Sequence, residues 1–593
     1  MSKTESTERT FKGIAAAPGV AHGPAFIFLN GEVDIPQYSV PEERLEEEIS
    51  RFEQGLLETR KQISAIRTEV QEKVGEDEAS IFDAHQLVLE DRALIEDTIK
   101  EVKETSTNIE HCFQVVANRY IDAFAQIDDD YIKERVSDIR DVTRRMLCNL
   151  VGHKDKQISE LVDRNILVAD DLNPSEAATL DVESVVAIVT EYGSRTSHAV
   201  IVARSLNIPS VVGVHGLVEN VQFGDQILVD GFEGVVVLNP SEATLERYGQ
   251  IRSRREAKMA EYYAERNQPL VTKDDRSLRL LLNLEGLESD DILRNSGADG
   301  VGLLRTEMLF LRESEYPDEE SQLKVYRRIA EAMDSRPVTI RTLDLGGDKN
   351  PHNSLYGYQE ANPFMGFRAI RFCLEHPKVF KEQLRAILRA SAFGKVQVLY
   401  PMISSCEELV AANALLEECK VELKEKGIAF DPDIRRGCMI EVPSAAVISD
   451  LLAQHCDFFS IGTNDLVQYL LAVDRINDRI SHLYQPSHPA VMRALSFIFE
   501  AGKRNGIPVS VCGELAGDPM YAPLLLGLGA DELSLSWSSL PQLKFMLRRM
   551  RLKDARRLAV KVLRGQSSSQ IEGYLKEFCE QVMGLPLTEF TSA

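Results

Sequence analysis

From Pro41 onward, Leu45, Ile49, Phe52, Leu56, Ile63, Ile66, Val70 and Val74 recur at steps of four and three with one gap, the seam of a long helix packed on a partner. Further helical stretches are expected over about 79–104, 108–126 and 130–150, with hardly any glycine between them. This part of the chain reads as a helical bundle. Before it, residues 11–30 read as two short strands broken by Pro18-Gly19 and Gly23-Pro24. After it, strand-like sequence returns at Arg164-Asn-Ile-Leu-Val-Ala-Asp and continues through Val185–Thr190, Ser210–Gly213, Gln226–Asp230 and Gly234–Leu238. The simplest reconciliation is one α/β domain, residues 1–32 and 150–240, with the bundle, 33–149, inserted between its halves. Residues 241–269 form a polar, Arg-rich linker helix ending at Pro269.

From Ser277 apolar strands alternate with amphipathic helices. The strands are expected at Leu278–Leu284, Gly300–Leu304, Val338–Leu343, Val396–Leu399, Cys438–Ile440, Phe458–Ile461 and Val509–Val511, with a weaker segment near 366–370. Repeated βα units over residues 270–593 point to a (β/α)₈ TIM-type barrel, with a doubly wound open sheet as the rival, since alternation alone cannot close a barrel. The fold class expected is therefore multidomain α/β: an α/β domain with an inserted helical bundle, followed by a C-terminal barrel.

Composition narrows the function. With 593 residues the chain is too long for one core, and roughly 100 to 250 residues per domain suggests three domains. A net charge of −25 argues against nucleic acid or an anionic membrane as partner. Residues 41–150 hold 27 Asp and Glu against 15 Lys and Arg, a surface toward which a basic protein would be steered. No apolar run approaches the ~20 residues that span a bilayer, and Met1-Ser-Lys-Thr-Glu-Ser opens no signal segment, so a cytoplasmic protein is expected. The nine cysteines are scattered and include no Cys-x-x-Cys pair, which argues for free thiols.

In a barrel the chemistry sits where strands end and βα loops begin. Arg305 follows Val301-Gly-Leu-Leu, and Arg341 and Asp344 close a strand before Gly346-Gly-Asp-Lys349. Glu441 follows Cys438-Met-Ile, Asn464 and Asp465 follow Ser460-Ile-Gly-Thr, and Cys512 follows Val509-Ser-Val. Arg368 lies in Asn362-Pro-Phe-Met-Gly-Phe-Arg. Several converging arginines imply a substrate with more than one negative group. Two carboxylates, Glu441 and Asp465, suit Mg²⁺, which keeps waters and shares substrate oxygens. Small neighbours are expected to leave the Cys512 sulfur accessible. A thiol of pKa ~8.5 is a plausible acid for protonating the enolate left when an enol phosphate loses its phosphoryl group.

His198 lies in Gly193-Ser-Arg-Thr-Ser-His before an apolar run that reads as a helix. In its first turn, the helix dipole and free N–H groups favour a neutral, nucleophilic imidazole and then a phosphoryl group carried on it. Arg195 could contact the same phosphate.

These motifs together resemble enzyme I of the bacterial sugar phosphotransferase system, the phosphoenolpyruvate-protein phosphotransferases. The likeness runs nearly end to end through Gly193–His198, Gly302-Leu-Leu-Arg-Thr-Glu, Thr342-Leu-Asp-Leu-Gly-Gly-Asp-Lys, Ile440-Glu-Val-Pro-Ser-Ala, Ile461-Gly-Thr-Asn-Asp-Leu and Cys512-Gly-Glu-Leu-Ala-Gly-Asp. The resemblance implies that His198 is phosphorylated and that Arg305, Arg341, Asn464, Asp465 and Arg475 bind substrate; Arg368 and Lys349 are further substrate-binding candidates. It implies that Glu441 and Asp465 hold Mg²⁺ and that Cys512 donates a proton. It further implies that the bundle binds the phosphocarrier protein HPr and that the barrel forms a homodimer. Two departures stand at the histidine: Ser194 where the family usually has a second glycine, and Ala199 where it usually has serine. Because one histidine must meet both the barrel mouth and a carrier, the α/β domain is expected to swing about the linker near 241–270. Pyruvate phosphate dikinase and phosphoenolpyruvate synthase resemble the same histidine and barrel domains, but require a nucleotide-binding domain of some 200 residues for which the sequence offers neither room nor a Gly-rich phosphate loop. A regulatory adaptor that binds carriers without turnover is the alternative from another class.

Overall fold

The computed structural model describes residues 8–28, 35–73, 81–125, 130–152, 164–172, 184–193, 200, 203, 208–285, 288–311, 316–345, 362–475 and 480–581. His198, Arg195, Ser194, Ala199 and Lys349 lie outside the described residues. The chain divides into two compact units, one up to Arg254 and one from Arg255.

The first unit carries an eight-stranded mixed sheet in the order β1-β8-β7-β3-β4-β5-β6-β2. Its strands are β1 (Arg9–Lys12), β2 (Ile14–Ala17), β3 (Val20–Phe28), β4 (Asn165–Ala169), β5 (Val185–Thr190), β6 (Ser210–Val212), β7 (Gln226–Asp230) and β8 (Val235–Leu238). The N-terminal stretch is thus three strands, and Gly23-Pro24 does not break β3. Val20–Pro24 pair antiparallel with β7, and Ala25–Phe28 then pair parallel with β4. Pro24, which has no N–H to give to a ladder, stands where β3 changes partner, the kind of position where a sheet tolerates proline.

Between β3 and β4 the chain forms helices Leu45–Lys73, Ile81–Leu89, Arg92–Thr105, Ile109–Ala125 and Asp130–Val151. Phe52, Leu94, Val102, Ile109, Phe113, Val116 and Met146 make their shared core. The single helix expected over 79–104 is two, because the Asp91 carboxylate accepts hydrogen bonds from the N–H groups of Ala93 (2.8 Å) and Leu94 (3.3 Å) and starts a new helix. The polar helix Glu242–Glu265 spans the division between the units.

The second unit is a closed, all-parallel barrel. Its strands are β9 (Arg279–Leu284), β10 (Val301–Leu304), β11 (Val338–Arg341), β12 (Val396–Tyr400), β13 (Arg435–Ile440), β14 (Phe458–Ile461), β15 (Val509–Val511) and β16 (Glu532–Leu535). Residues 366–370 are not a strand; they lead into the helix Ile370–Glu375, and the eighth strand is β16. β16 escapes a hydrophobic-run reading because its sequence, Glu-Leu-Ser-Leu, is half polar. Ser534 is buried nonetheless, its hydroxyl donating to Asn283 Oδ1 (2.6 Å) on β9, so closure of the barrel is partly a polar contact. Side chains from different strands, Leu303, Leu399, Met439 and Phe458, fill the interior beside Cys512. No helix among the described residues is long and apolar enough to cross a membrane.

Candidate active site

Because all eight barrel strands are parallel, their C-terminal ends open onto one face. There a cavity of about 420 Å³ is lined by residues from the ends of β9, β10, β11, β13, β14 and β15 and from the loops that follow them. Arg341 is the last residue of β11; Arg305, Glu441 and Cys512 directly follow β10, β13 and β15; Asn464 and Asp465 lie in the first turn of the helix Thr463–Leu471 after β14. Arg368 and Arg475 reach the same cavity from loops. Of the site residues expected from sequence, all those described are brought together here.

Three of the four arginines are held by carboxylates. Arg341 pairs with Glu307 (2.8 Å) and Asp344 (3.0 Å), and Arg368 with Asp344 (2.8 Å) and, farther off, Asp465 (3.7 Å). Burial works against the charged Arg341 guanidinium, but Glu307, Asp344 and Glu441 outweigh it and keep the group protonated. Arg368 is governed by the same balance, with Asp344 and Asp465 opposing its burial. Arg305 is more open and meets Glu285 at 3.2 Å. Two buried donors on the arginines, Arg341 Nε and Arg475 Nη1, have no hydrogen-bond partner among the described residues.

Glu441 is buried, and its Oε1 accepts the Met402 N–H at 2.6 Å. Burial first, then the Asp465 and Asp344 carboxylates, push the Glu441 carboxyl above the usual carboxylate range. Crowded acidic oxygens of this kind suit a hard divalent cation, which would relieve the repulsion. Gly462 lets Glu441 sit where it does: a Cβ at position 462 would lie 2.6 Å from Glu441 Oε2.

Cys512 departs from expectation. Its sulfur lies against the cavity, yet the residue is only 2% exposed, because the barrel interior closes over it. Burial first, opposed by a hydrogen bond from Ser460, pushes the thiol up to about 11. The group therefore holds its proton at neutral pH more firmly than a solvent-facing thiol.

The sequence matches the family described as PEP-utilising enzyme, N-terminal, over residues 12–135, the PEP-utilising enzyme mobile domain over 161–234, and the PEP-utilising enzyme PEP-binding domain over 259–552. The phosphoenolpyruvate-protein phosphotransferase of Priestia megaterium is 40% identical to this chain over 96% of its length and 99% of the relative's. The chain belongs to the phosphoenolpyruvate-protein phosphotransferase family. The family's members from Haemophilus influenzae and Bacillus subtilis (strain 168) are each 38% identical, over 95% of this chain and 98% and 99% of theirs.

In this phosphotransferase three residues beyond those expected from the sequence hold the ligating groups in place. Glu307 follows the Arg305-Thr motif and orients Arg341. The Tyr469 hydroxyl accepts from Arg368 (3.3 Å) and donates to the Phe364 carbonyl. Glu514 locks Asn464 in two reciprocal bonds of 2.9 Å each. Glu307 and Glu514 lie inside the quoted motifs, so their positions were a usable signal. Tyr469 lies outside them, and only packing reveals it.

Proposed function

We propose that this phosphotransferase takes the phosphoryl group of phosphoenolpyruvate onto His198 and passes it to a histidine of the carrier HPr, releasing pyruvate, the first step of the sugar phosphotransferase system. One observation carries the barrel half of the reading: four arginines, two metal-suited carboxylates and a protonated thiol line a single cavity sized for a small phosphorylated acid. Arg305, Arg341, Arg368 and Arg475 neutralise phosphate and carboxylate oxygens, the two unpartnered nitrogens among them being ready donors. Asn464, held by Glu514, presents its amide to the same ligand. Lys349 is assigned to substrate from its motif. Mg²⁺ would be held by Glu441 and Asp465, and when bound it supplies charge neutralisation on the substrate oxygens.

His198 attacks the phosphorus in line, the bond to the enol oxygen breaks, and the enolate carbon takes the Cys512 proton to give pyruvate. Positioning and electrostatics supply most of the rate in such a transfer. Residues 1–32 and 150–240 are the phosphohistidine domain in this scheme, 33–149 the HPr-binding bundle, 241–269 the linker about which His198 is carried, and 270–593 the substrate barrel. The barrel is also assigned to homodimer formation, supported by exposed apolar side chains on its helices, Val421, Val447 and Leu451 among them. The setting is the cytoplasm.

Incubation with labelled phosphoenolpyruvate and Mg²⁺, followed by mapping of the acid-labile phosphate, tests the reading. Label is expected on His198 and absent in His198→Ala. Cys512→Ala is expected to block pyruvate release while leaving phosphoryl exchange with pre-phosphorylated HPr intact. Label on another residue would overturn the proposal.

A further inference from the structure

Cys512 is surrounded by an apolar layer, and one hydroxyl interrupts it. On β14, Phe458 and Ser460 point to the same side of the strand, as residues two apart do, and both face the barrel interior. Ser460 is fully buried, and its Oγ lies 3.2 Å from Cys512 Sγ, to which it donates. That sulfur is the only acceptor the hydroxyl has among the described residues. A buried hydroxyl spent on sulfur, a weak acceptor, is poor use of a core position for stability alone, where an apolar side chain would fill the layer at less desolvation cost.

We propose that Ser460 is a positioning residue for the proton transfer, its hydroxyl aiming the Cys512 thiol and stabilising the thiolate left after the proton has gone. The inference rests on the reading of Cys512 as proton donor. In the resting site the Ile461 carbonyl oxygen, 3.5 Å from the sulfur, is within reach of the thiol as an acceptor. When the S–H bond breaks and a C–H bond forms on the enolate carbon, the electron pair stays on sulfur. The anion then faces that carbonyl oxygen and the side chains of Leu303, Leu399, Met439 and Phe458, none of which can donate. The charged groups around it are Glu441, which opposes the thiolate, and Arg341 and Arg305, which favour it. Ser460 is the neutral donor in direct contact, and its O–H bond stays intact throughout. Water returns the proton to sulfur before the next turnover. The backbone of Cys512 is fixed separately, its N–H donating to the Ile461 carbonyl (3.1 Å) and its carbonyl accepting from Asn283 Nδ2 (3.0 Å), so the serine acts on the sulfur and not on the chain.

The test uses the full chain with HPr and compares Ser460→Ala and Cys512→Ala with the parent. Losing a hydrogen bond to a charged sulfur is expected to lower kcat for pyruvate release about tenfold in Ser460→Ala, with KM for phosphoenolpyruvate changed less than about twofold. The pH midpoint for alkylation of Cys512 by iodoacetamide, followed by peptide mapping, should rise by about one unit. An unchanged kcat and midpoint in Ser460→Ala, with Cys512→Ala inactive, overturns the role of Ser460 and leaves Cys512 as donor. A fall in melting temperature with a parallel rise in KM reduces Ser460 to a packing residue and also overturns it. Full pyruvate release by Cys512→Ala sinks the reading of the thiol, and the inference with it.

Discussion

Asp344 is the residue on which the cationic half of the site turns. Its carboxylate lies between Arg341 and Arg368, and all three side chains are largely withdrawn from water. Removing one partner from a buried ionic cluster leaves the others uncompensated, so Asp344→Ala is expected to destabilise the barrel by about 3–5 kcal/mol. The chain's single tryptophan, Trp537, lies in the barrel unit, so a denaturant melt followed by its fluorescence reads that change. Gly462 makes the complementary case. In Gly462→Ala the new methyl displaces the Glu441 carboxylate, and the Mg²⁺ concentration for half-maximal activity is expected to rise about tenfold, the scale of effect seen when a metal ligand's orientation is disturbed. A titration of pyruvate release against Mg²⁺ checks it.

At the scale of elements, local polar contacts decide where segments begin and which strands pair. Asp91 splits one amphipathic stretch into two helices, and Asp91→Ala is expected to cost about 1 kcal/mol, felt locally. Amide hydrogen exchange over residues 92–105 of the full chain should show faster exchange in the first turn, with the barrel amides unchanged. Seven of the eight barrel strands were legible because each is a short apolar run bounded by turn residues. β16 was not, since its defining feature is Ser534 reaching Asn283 across 251 residues of sequence. Pro24 misleads for a related reason: its missing N–H matters only if a neighbouring strand asks for it, and β3 changes neighbour just there.

For the whole molecule, charge is the property that sequence states most directly. The acidic excess of residues 41–150 belongs to the inserted helices, and the proposed HPr contact draws on it. Association with HPr is therefore expected to slow at least several-fold between about 0.05 and 0.5 M salt, as the screening length falls below the spacing of surface charges. Stopped-flow association rates measure this, and a flat salt profile would remove the bundle's charge from the account.

The division into strand-rich and helical stretches, the acidic bundle, the strand-end positions of Arg305, Arg341, Glu441, Asp465 and Cys512, and the family to which they belong can all be read along the chain. These are local or compositional properties, readable wherever neighbours in sequence are neighbours in space. Closure of the barrel through β16, the tie that Asp344 makes between two arginines, and the burial of the Cys512 thiol under the hydroxyl of Ser460 emerge with the folded chain. Each of those depends on side chains far apart in the chain meeting in a low-dielectric interior, where burial and pairing set protonation and position, and no pattern along the chain encodes that meeting.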